Sequence, residues 1–319
     1  MKHSLLIVCT LLLYSCSPAK QDTITIGTNI WLGYEPLHVA HEKKVFDTLN
    51  IKFIEYRSAS LVLNGMRKGV LDLAAITLDE ALRLKNQGVD VEVIWIFDFS
   101  HGADALVAQP NIENFEQLKG KRIGVEDGAL GAYFLKRFMQ LNEFNIEDIN
   151  RVSLEINSHV QYFEQGQIDA LVTFEPVKSL LTQQGGRVLF DSTQLKNEII
   201  DVLVINKNSK LYHDKKQVYA FLSQYNQVFS QIKQNMNKYF PLLNMRLKLP
   251  LEAVAQSYRG ISLPTVEEQI ELFEDRQFIL ETLERYQTVL LEIGAIDTPC
   301  QCEHLFNIEY LKALNESKN

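Results

Sequence analysis

Cysteine, positive charge and long apolar runs are all scarce in this 319-residue chain, and each scarcity removes a class of function. Two of its 4 cysteines, Cys9 and Cys16, fall at the amino terminus, and the other two stand together in PCQCE as Cys300 and Cys302. Cysteines two apart can close only a small ring, so they read as free thiols or a local disulfide and form no stapling framework. Only His304 stands near them as a further ligand, which argues against a metal site. Lys and Arg number 32 against 40 Asp and Glu, for a net charge of -8 with no basic block. That balance excludes nucleic acid and adsorption to anionic lipid as partners. Beyond Cys16 nothing approaches the roughly 20 apolar residues of a membrane span. The sequence also has no Gly-x4-Gly-Lys-Ser/Thr loop, no dinucleotide fingerprint, no GxSxG elbow and no HExxH. His38 and His41 in HVAHE stand three apart and read as solvated helix histidines. No enzyme activity and no cofactor is expected.

The amino terminus carries an export pattern. Lys2 precedes an apolar core, Ser4 to Leu13, too short to span a bilayer. Leu13, Tyr14, Ser15 and Cys16 follow, and this run resembles a bacterial lipoprotein box with Cys16 as the lipid acceptor. The expectation is a signal peptide over 1–16 and a periplasmic protein anchored by lipid to the inner or outer membrane. An ordinary secretory signal cut nearby is the other reading.

About 300 mature residues exceed one typical domain, so two lobes are expected. Strand and helix signals alternate from Ile24 onward. ITIGT, IKFIEY (Ile51 to Tyr56), DLAAIT (Asp72 to Thr77) and the continuous apolar run VEVIWIF (Val91 to Phe97) read as strands. Helical spacing fills Glu35 to Lys44, Ala59 to Lys68 and Asp79 to Gly88. This β-α-β order predicts a parallel sheet with covered faces. A second α/β block follows, with strands near Ala103 to Gln109, Arg122 to Glu126, Arg151 to Ile156, Asp169 to Phe174 and Arg187 to Phe190. Asp201 to Lys207 is one more strand, and the chain beyond Tyr212 reads as helical, with Pro241, Pro250 and Pro264 between helices. Paired crossings near Ser100 to Asp104 and Ser192 to Val202 would divide a first lobe (23–100 and 203–319) from a second (104–198). The helical tail is expected to pack on the first lobe.

Six segments carry a family resemblance: IGTNIWLGYEPLHVA, GMRKGVLDLAAITLDEAL, SHGADALVA, LKGKRIGVEDGALGAYFL, GQIDALVTFEPV and LFDSTQLKNEIIDVLVI. The chain resembles the periplasmic substrate-binding proteins of nitrate, sulfonate and taurine ABC transporters, within a superfamily shared with NMT1/THI5-like proteins. The resemblance implies a two-lobe periplasmic-binding-protein fold (type II) with a helical extension. It implies a monomer that captures a small-molecule ligand by hinge closure and hands it to a permease driven by a separate ATPase. A thiamine-precursor pyrimidine protein and a periplasmic sensory module are the rival readings.

Ligands of open α/β sheets bind outside the carboxyl ends of the strands. Trp31 and Tyr34 sit in the loop after the first strand, as exposed stacking faces or as packing for their own lobe. The loop EDGALGAYF could aim the backbone amides of Gly128, Leu130 and Gly131 at an anion, or be a tight turn. Asp79, Asp104, Glu126 and Glu175 fall at strand ends, where they face the cleft or cap the following helix. Ser58, Thr77 and Ser100 complete the polar set, and Arg57 is its cation. One acidic end, one anion-binding end and two rings suggest a zwitterion such as an aminosulfonate, with a neutral aminopyrimidine as runner-up.

Overall fold

The computed structural model describes residues 22–300, 302 and 304–317. Cys16 and the signal segment lie outside the described residues. The chain builds two sheets joined by paired crossings. The first sheet holds β1 (Ile24–Thr28), β2 (Ile51–Glu55), β3 (Leu73–Thr77) and β4 (Val91–Ser100). The second holds β5 (Asp104–Ala108), β6 (Arg122–Val125), β7 (Asn150–Ser153), β8 (Ala170–Phe174) and β9 (Arg187–Asp191). The chain then returns to the first sheet as β10 (Ile200–Asn206) and β11 (Ile261–Ser262). Spatial order is β11-β4-β10-β3-β1-β2 in one sheet and β7-β6-β8-β5-β9 in the other.

The wholly parallel sheet expected from the β-α-β order is not what forms. β1, β2 and β3 are parallel, but β10 runs antiparallel between β3 and β4, with Val202 opposite both Ile76 and Ile96. The reason is topological. The chain leaves the first sheet at the carboxyl end of β4 and comes back at that same end, so the returning strand runs against its neighbours. The second sheet mirrors this, because β5 enters from the crossing and pairs antiparallel with β8 and β9. Asp201 at the start of β10 and Asp104 at the start of β5 therefore join the carboxyl ends of the other strands at one cleft.

Apolar burial explains why these segments order. All of β3, β4 and β10 is buried, and burial of each large apolar side chain contributes about 1.5–3 kcal/mol. The helix Lys215–Gln234 covers the far face, setting Tyr225 and Phe229 edge-on to Trp95 at 5.2 and 5.5 Å between ring centres. The tail is not confined to the first lobe. Its helix Arg276–Glu292 lies against the second-lobe helix Leu130–Leu141, with Tyr286 4.9 Å from Tyr133 and Lys136 2.9 Å from Glu292. Long amphipathic helices have two usable faces, and sequence spacing did not show which lobe the second face would meet. Cys300 and Cys302 are joined to each other.

The crossings are stitched together. Ser100 Oγ lies 2.7 Å from Ser192 Oγ, and the Gly102 amide donates to Ser192 Oγ at 2.6 Å. His101 and Ala103 both donate backbone N–H groups to the Gly260 carbonyl. Beside them Glu198 gathers Arg137 Nε (2.7 Å), Arg137 Nη2 (2.9 Å) and the Tyr133 hydroxyl (3.2 Å), while the Tyr286 hydroxyl donates to its carbonyl. Both partners of the bidentate pair are largely buried, so removing one strands the other. Arg137→Ala is expected to cost about 2–3 kcal/mol in urea unfolding, against under about 0.5 kcal/mol for the more exposed Lys136→Ala. Equal losses from the two variants would show that Glu198 is no structural hub.

Candidate functional site

The strand ends described above enclose a cavity between the two lobes. Its volume is about 40 Å³, where roughly 10–15 Å³ holds one water. First-lobe elements supply Asn29, Trp31, Tyr34, Ala59, Thr77, Glu80 and Asp201 to its wall. Second-lobe elements supply Asp104, Glu126, Ala129, Leu130, Gly131, Phe134, His159, Val172, Thr173 and Phe174.

Trp31 and Tyr34 line the cavity, but they are buried rather than exposed. Each is fixed by a carboxyl group. Trp31 Nε1 donates to Asp98 Oδ2 at 2.9 Å, and the Tyr34 hydroxyl donates to Asp201 Oδ1 at 2.5 Å. Trp31 also stands edge-on to Phe174 of the other lobe at 5.7 Å. Gly33 makes this packing possible: a Cβ there would sit 1.6 Å from Asp98 Oδ2.

The carboxylates divide into two groups. Asp104 and Glu126 line the cavity, and Asp104 Oδ2 and Glu126 Oε2 are buried without a hydrogen-bond partner. Glu126 Oε1 accepts from the Ser60 amide (3.0 Å) and hydroxyl (2.5 Å) across the cleft. Asp79 and Glu175 do not line it. Asp79 lies behind, 3.3 Å from Arg83, and Glu175 accepts from the Ser179 amide (3.1 Å) and hydroxyl (3.0 Å) at its helix start. The helix-terminal alternative holds for both, because first-turn amides have no partner within the helix.

Glu80, passed over in the sequence, takes the place expected for Asp79. Its Oε2 accepts from the Thr77 amide at 3.0 Å in a capping box, and its Oε1 accepts from the Leu130 amide at 3.1 Å. That second bond uses the amide expected to bind an anion. Arg83 adds bonds to the carbonyls of Ala129 (3.0 Å) and Asp127 (3.4 Å), so the loop is held by the first lobe. Gly128 packs against Ser60, where a Cβ would meet Oγ at 2.8 Å, and Gly131 lines the wall. Of the remaining expected residues, Thr77 lines the cavity, Ser58 lies buried with an unpartnered Oγ, and Ser100 serves the crossing. Arg57 is exposed in an outer recess with Tyr56, Asn157 and Phe174. His38 is buried and 3.0 Å from Thr28 Oγ1, not solvated; burial pushes its pKa down to about 2.

Burial raises the acid pKa values by more than Lys178 and Arg83 lower them. Burial pushes Asp104 up to about 7, and burial with the neighbouring Asp79 pushes Glu80 up to about 8. Asp98 and Asp201 are raised well above the usual carboxylate range by burial, reinforced in Asp201 by Asp98 itself. His159, on the cavity wall, is pushed down to about 4 by burial and is neutral. Among the described residues no Lys or Arg lines the cavity, so its charged groups are carboxyl acceptors. Asp201 and Asp98 were legible only as charges inside apolar runs, IIDVLVIN and VEVIWIFDF.

The sequence comparison decides the family. The NMT1-like family pattern matches residues 17–227. The chain belongs to the NMT1-like family. A Bacillus subtilis (strain 168) protein provisionally named as aliphatic sulfonates-binding is 26% identical over 224 residues, 67% of each chain. The alkanesulfonate-binding protein SsuA from Xanthomonas axonopodis pv. citri bound to MOPS shares the fold, with TM-score 0.74 and 17% identity over 91% of this chain and 99% of that one. The desulfurization enzyme DSZB shares it too, with TM-score 0.70 and 16% identity over 94% of this chain and all of that one. The architecture thus houses both binding proteins and an enzyme, and the sequence relative is a binding protein. The NMT1-like chain has a solute-binding role in this light.

The raised acids give a pH signature. A carboxyl whose folded pKa lies above its unfolded value stabilises fully below the unfolded value, near 4, and loses that contribution as pH rises through the folded one. For Asp104 the window is about pH 4 to 7. The ligand-free melting temperature is expected to fall from pH 5 to pH 8, with Asp104→Asn flattening the lower part of the fall. A melting curve that rises over this range in scanning fluorimetry would contradict the charge assignment.

Proposed function

We propose that this NMT1-like chain is the lipid-anchored, periplasmic solute-binding protein of an ABC importer, monomeric, working with a separate permease and ATPase. The lobes would be 23–100 with 203–319, and 104–198, closing about the crossings at 101–103 and 192–199. The sulfonate-binding relative supports the importer role, and the cavity between the lobes supports capture by closure. The observation that carries the ligand class is the pair of partnerless oxygens, Asp104 Oδ2 and Glu126 Oε2, in a wall without Lys or Arg. Buried acceptors of this kind call for donors on the ligand. The solute therefore bears an amino group. An aminosulfonate would set its ammonium inward and its sulfonate outward toward Arg57, whose recess shares Phe174 with the cavity. An aminopyrimidine would use the same acceptors with Trp31 and Phe174 against its ring. Nitrate and simple alkyl sulfonates would bring negative charge to unpaired carboxylates and are disfavoured.

No covalent step is needed. Ligand donors replace water at Asp104 and Glu126, and the bonds Glu80 to Leu130 and Glu126 to Ser60 then hold the lobes shut. The test is a thermal-shift screen of aminosulfonates, aminopyrimidines, amines and nitrate, followed by solution scattering with the best ligand. Compaction is expected, and Trp31→Ala and Asp104→Ala should each weaken that ligand at least about tenfold, the loss of a hydrogen bond to a charged group being about 1.5–3 kcal/mol. A largest shift from nitrate, or unchanged affinity in both variants, refutes the site. Anchoring is separate: Cys16→Ala should move the protein from the membrane to the soluble periplasmic fraction, with no diacylated amino terminus by mass spectrometry.

A further inference from the structure

Asp98 and Asp201 stand directly opposite each other on the antiparallel strands β4 and β10. Like charges at directly opposed positions destabilise a sheet. Both residues are buried, at 0% and 3% exposure, and Asp201 lines the cavity. Asp98 Oδ1 has no hydrogen-bond partner, while its Oδ2 takes the Trp31 indole. Acids and phenols predominate among the titratable groups around the pair. Tyr34 bonds Asp201, Asp104 and Glu80 act on it from the second lobe and the helix after β3, and Tyr286 feels its charge from the tail. Asp98 is faced by Asp104, Tyr225 and Tyr258. The cations that reach this part of the cleft are committed elsewhere, Arg83 to Asp79 at 3.3 Å and Lys178 to the Gly102 carbonyl.

Two carboxylates in this setting need either protons or a positive charge from outside the chain. We propose that Asp98 and Asp201 form a charge-reading subsite that shares retained protons in the empty protein and exchanges one for a cationic nitrogen of the ligand, an ammonium, amidinium or protonated aminoheterocycle. The inference rests on the solute-binding reading and deepens it from an amino-bearing solute to one that is positively charged when held. The exchange balances: one positive ligand enters, one proton leaves the pair to solvent, and the net charge of the site is unchanged. Burial holds both acids well above the usual range, and the charge of Asp104 on Asp98 and of Asp98 on Asp201 acts in the same direction. The pair titrates as a unit, so the measurable quantity is its upper midpoint.

The test uses the full chain with ¹³C-labelled aspartate carboxyls, titrated by NMR from pH 4 to 9. The two resonances are assigned by their loss in Asp98→Asn and Asp201→Asn. Without ligand the upper midpoint is expected well above the usual carboxylate range. Acetamidinium should lower it by at least one unit and bind about tenfold more tightly per pH unit between pH 6 and 8, as release of one proton requires. The neutral isostere acetamide should leave the midpoint in place. Asp98→Asn should melt about 2–4 °C above the native chain at pH 8 and lose that margin by pH 5. Ionisation of both carboxyls below about pH 5, no response to 100 mM acetamidinium, or equal response to acetamide overturns the proposal. If a solute still compacts the protein in scattering, the importer reading survives that failure. If the titration behaves as stated and no solute compacts the protein, the importer reading fails instead.

Discussion

Charge burial without compensation is the constraint around which this cleft is arranged. Asp98 and Asp201 meet because the chain leaves β4 and re-enters as β10 at one end of the sheet, which lays two strands side by side in opposite directions. The same topology sets Asp104 at the start of β5, facing them from the second lobe. Each acid is then tied to a neighbour that shapes the wall: Asp98 to Trp31, Asp201 to Tyr34, Asp104 to the Ser100–Ser192 crossing through its amide. Replacing one acid would therefore alter a ring position or a crossing as well as a charge. Hydrophobic residues at these positions would be the cheaper way to build a sheet, since desolvating a carboxyl costs several kcal/mol.

Closure uses the same chemistry in another form. A helix start presents amides with no partner within the helix, and a carboxylate is its natural complement. Here the carboxylate comes from the opposite lobe: Glu80 meets the amide of Leu130, and Glu126 meets the amide of Ser60. Each lobe thus caps a helix of the other. Opening would expose two helix starts and two carboxyl groups to water together, where both are well solvated. On the proposed reading, release of the solute would break these two bonds together.

Much of this was legible beforehand. The alternation of strand and helix signals, the strand-end positions of Asp104 and Glu126, and the two rings after β1 follow from hydrophobic period and loop composition. What was missed has physical reasons. Sequence order cannot show that β10 returns antiparallel, so Asp201 reads as an ordinary strand residue and Asp98 falls just past the end of the apolar run Val91 to Phe97. Asp79 and Glu80 are adjacent, and only the helix geometry decides which faces the cleft. The Leu130 amide read as an open anion site because its partner lies 50 residues away in another lobe. Arg57 is a strand-end cation in the sequence, but the fold puts it in the outer recess.

The helix Leu130–Leu141 joins these levels. Its first turn contributes Leu130 and Phe134 to the cavity, its middle gives Tyr133 and Arg137 to Glu198 beside the crossing, and Lys136 and Gln140 reach Glu292 of the tail. An α-helix is stiff over this length, so a displacement at its start is carried to its end. In the proposed opening, the Glu80 bond to Leu130 would break at one end of a body whose other contacts are the crossing and the tail. Glu198 takes part in both, because its carboxylate holds Arg137 and its carbonyl accepts from Tyr286. The tail helix is thus a third contact spanning the lobes. In the proposed opening it would favour a rotation that exposes the acidic face while the Glu198 side stays closed.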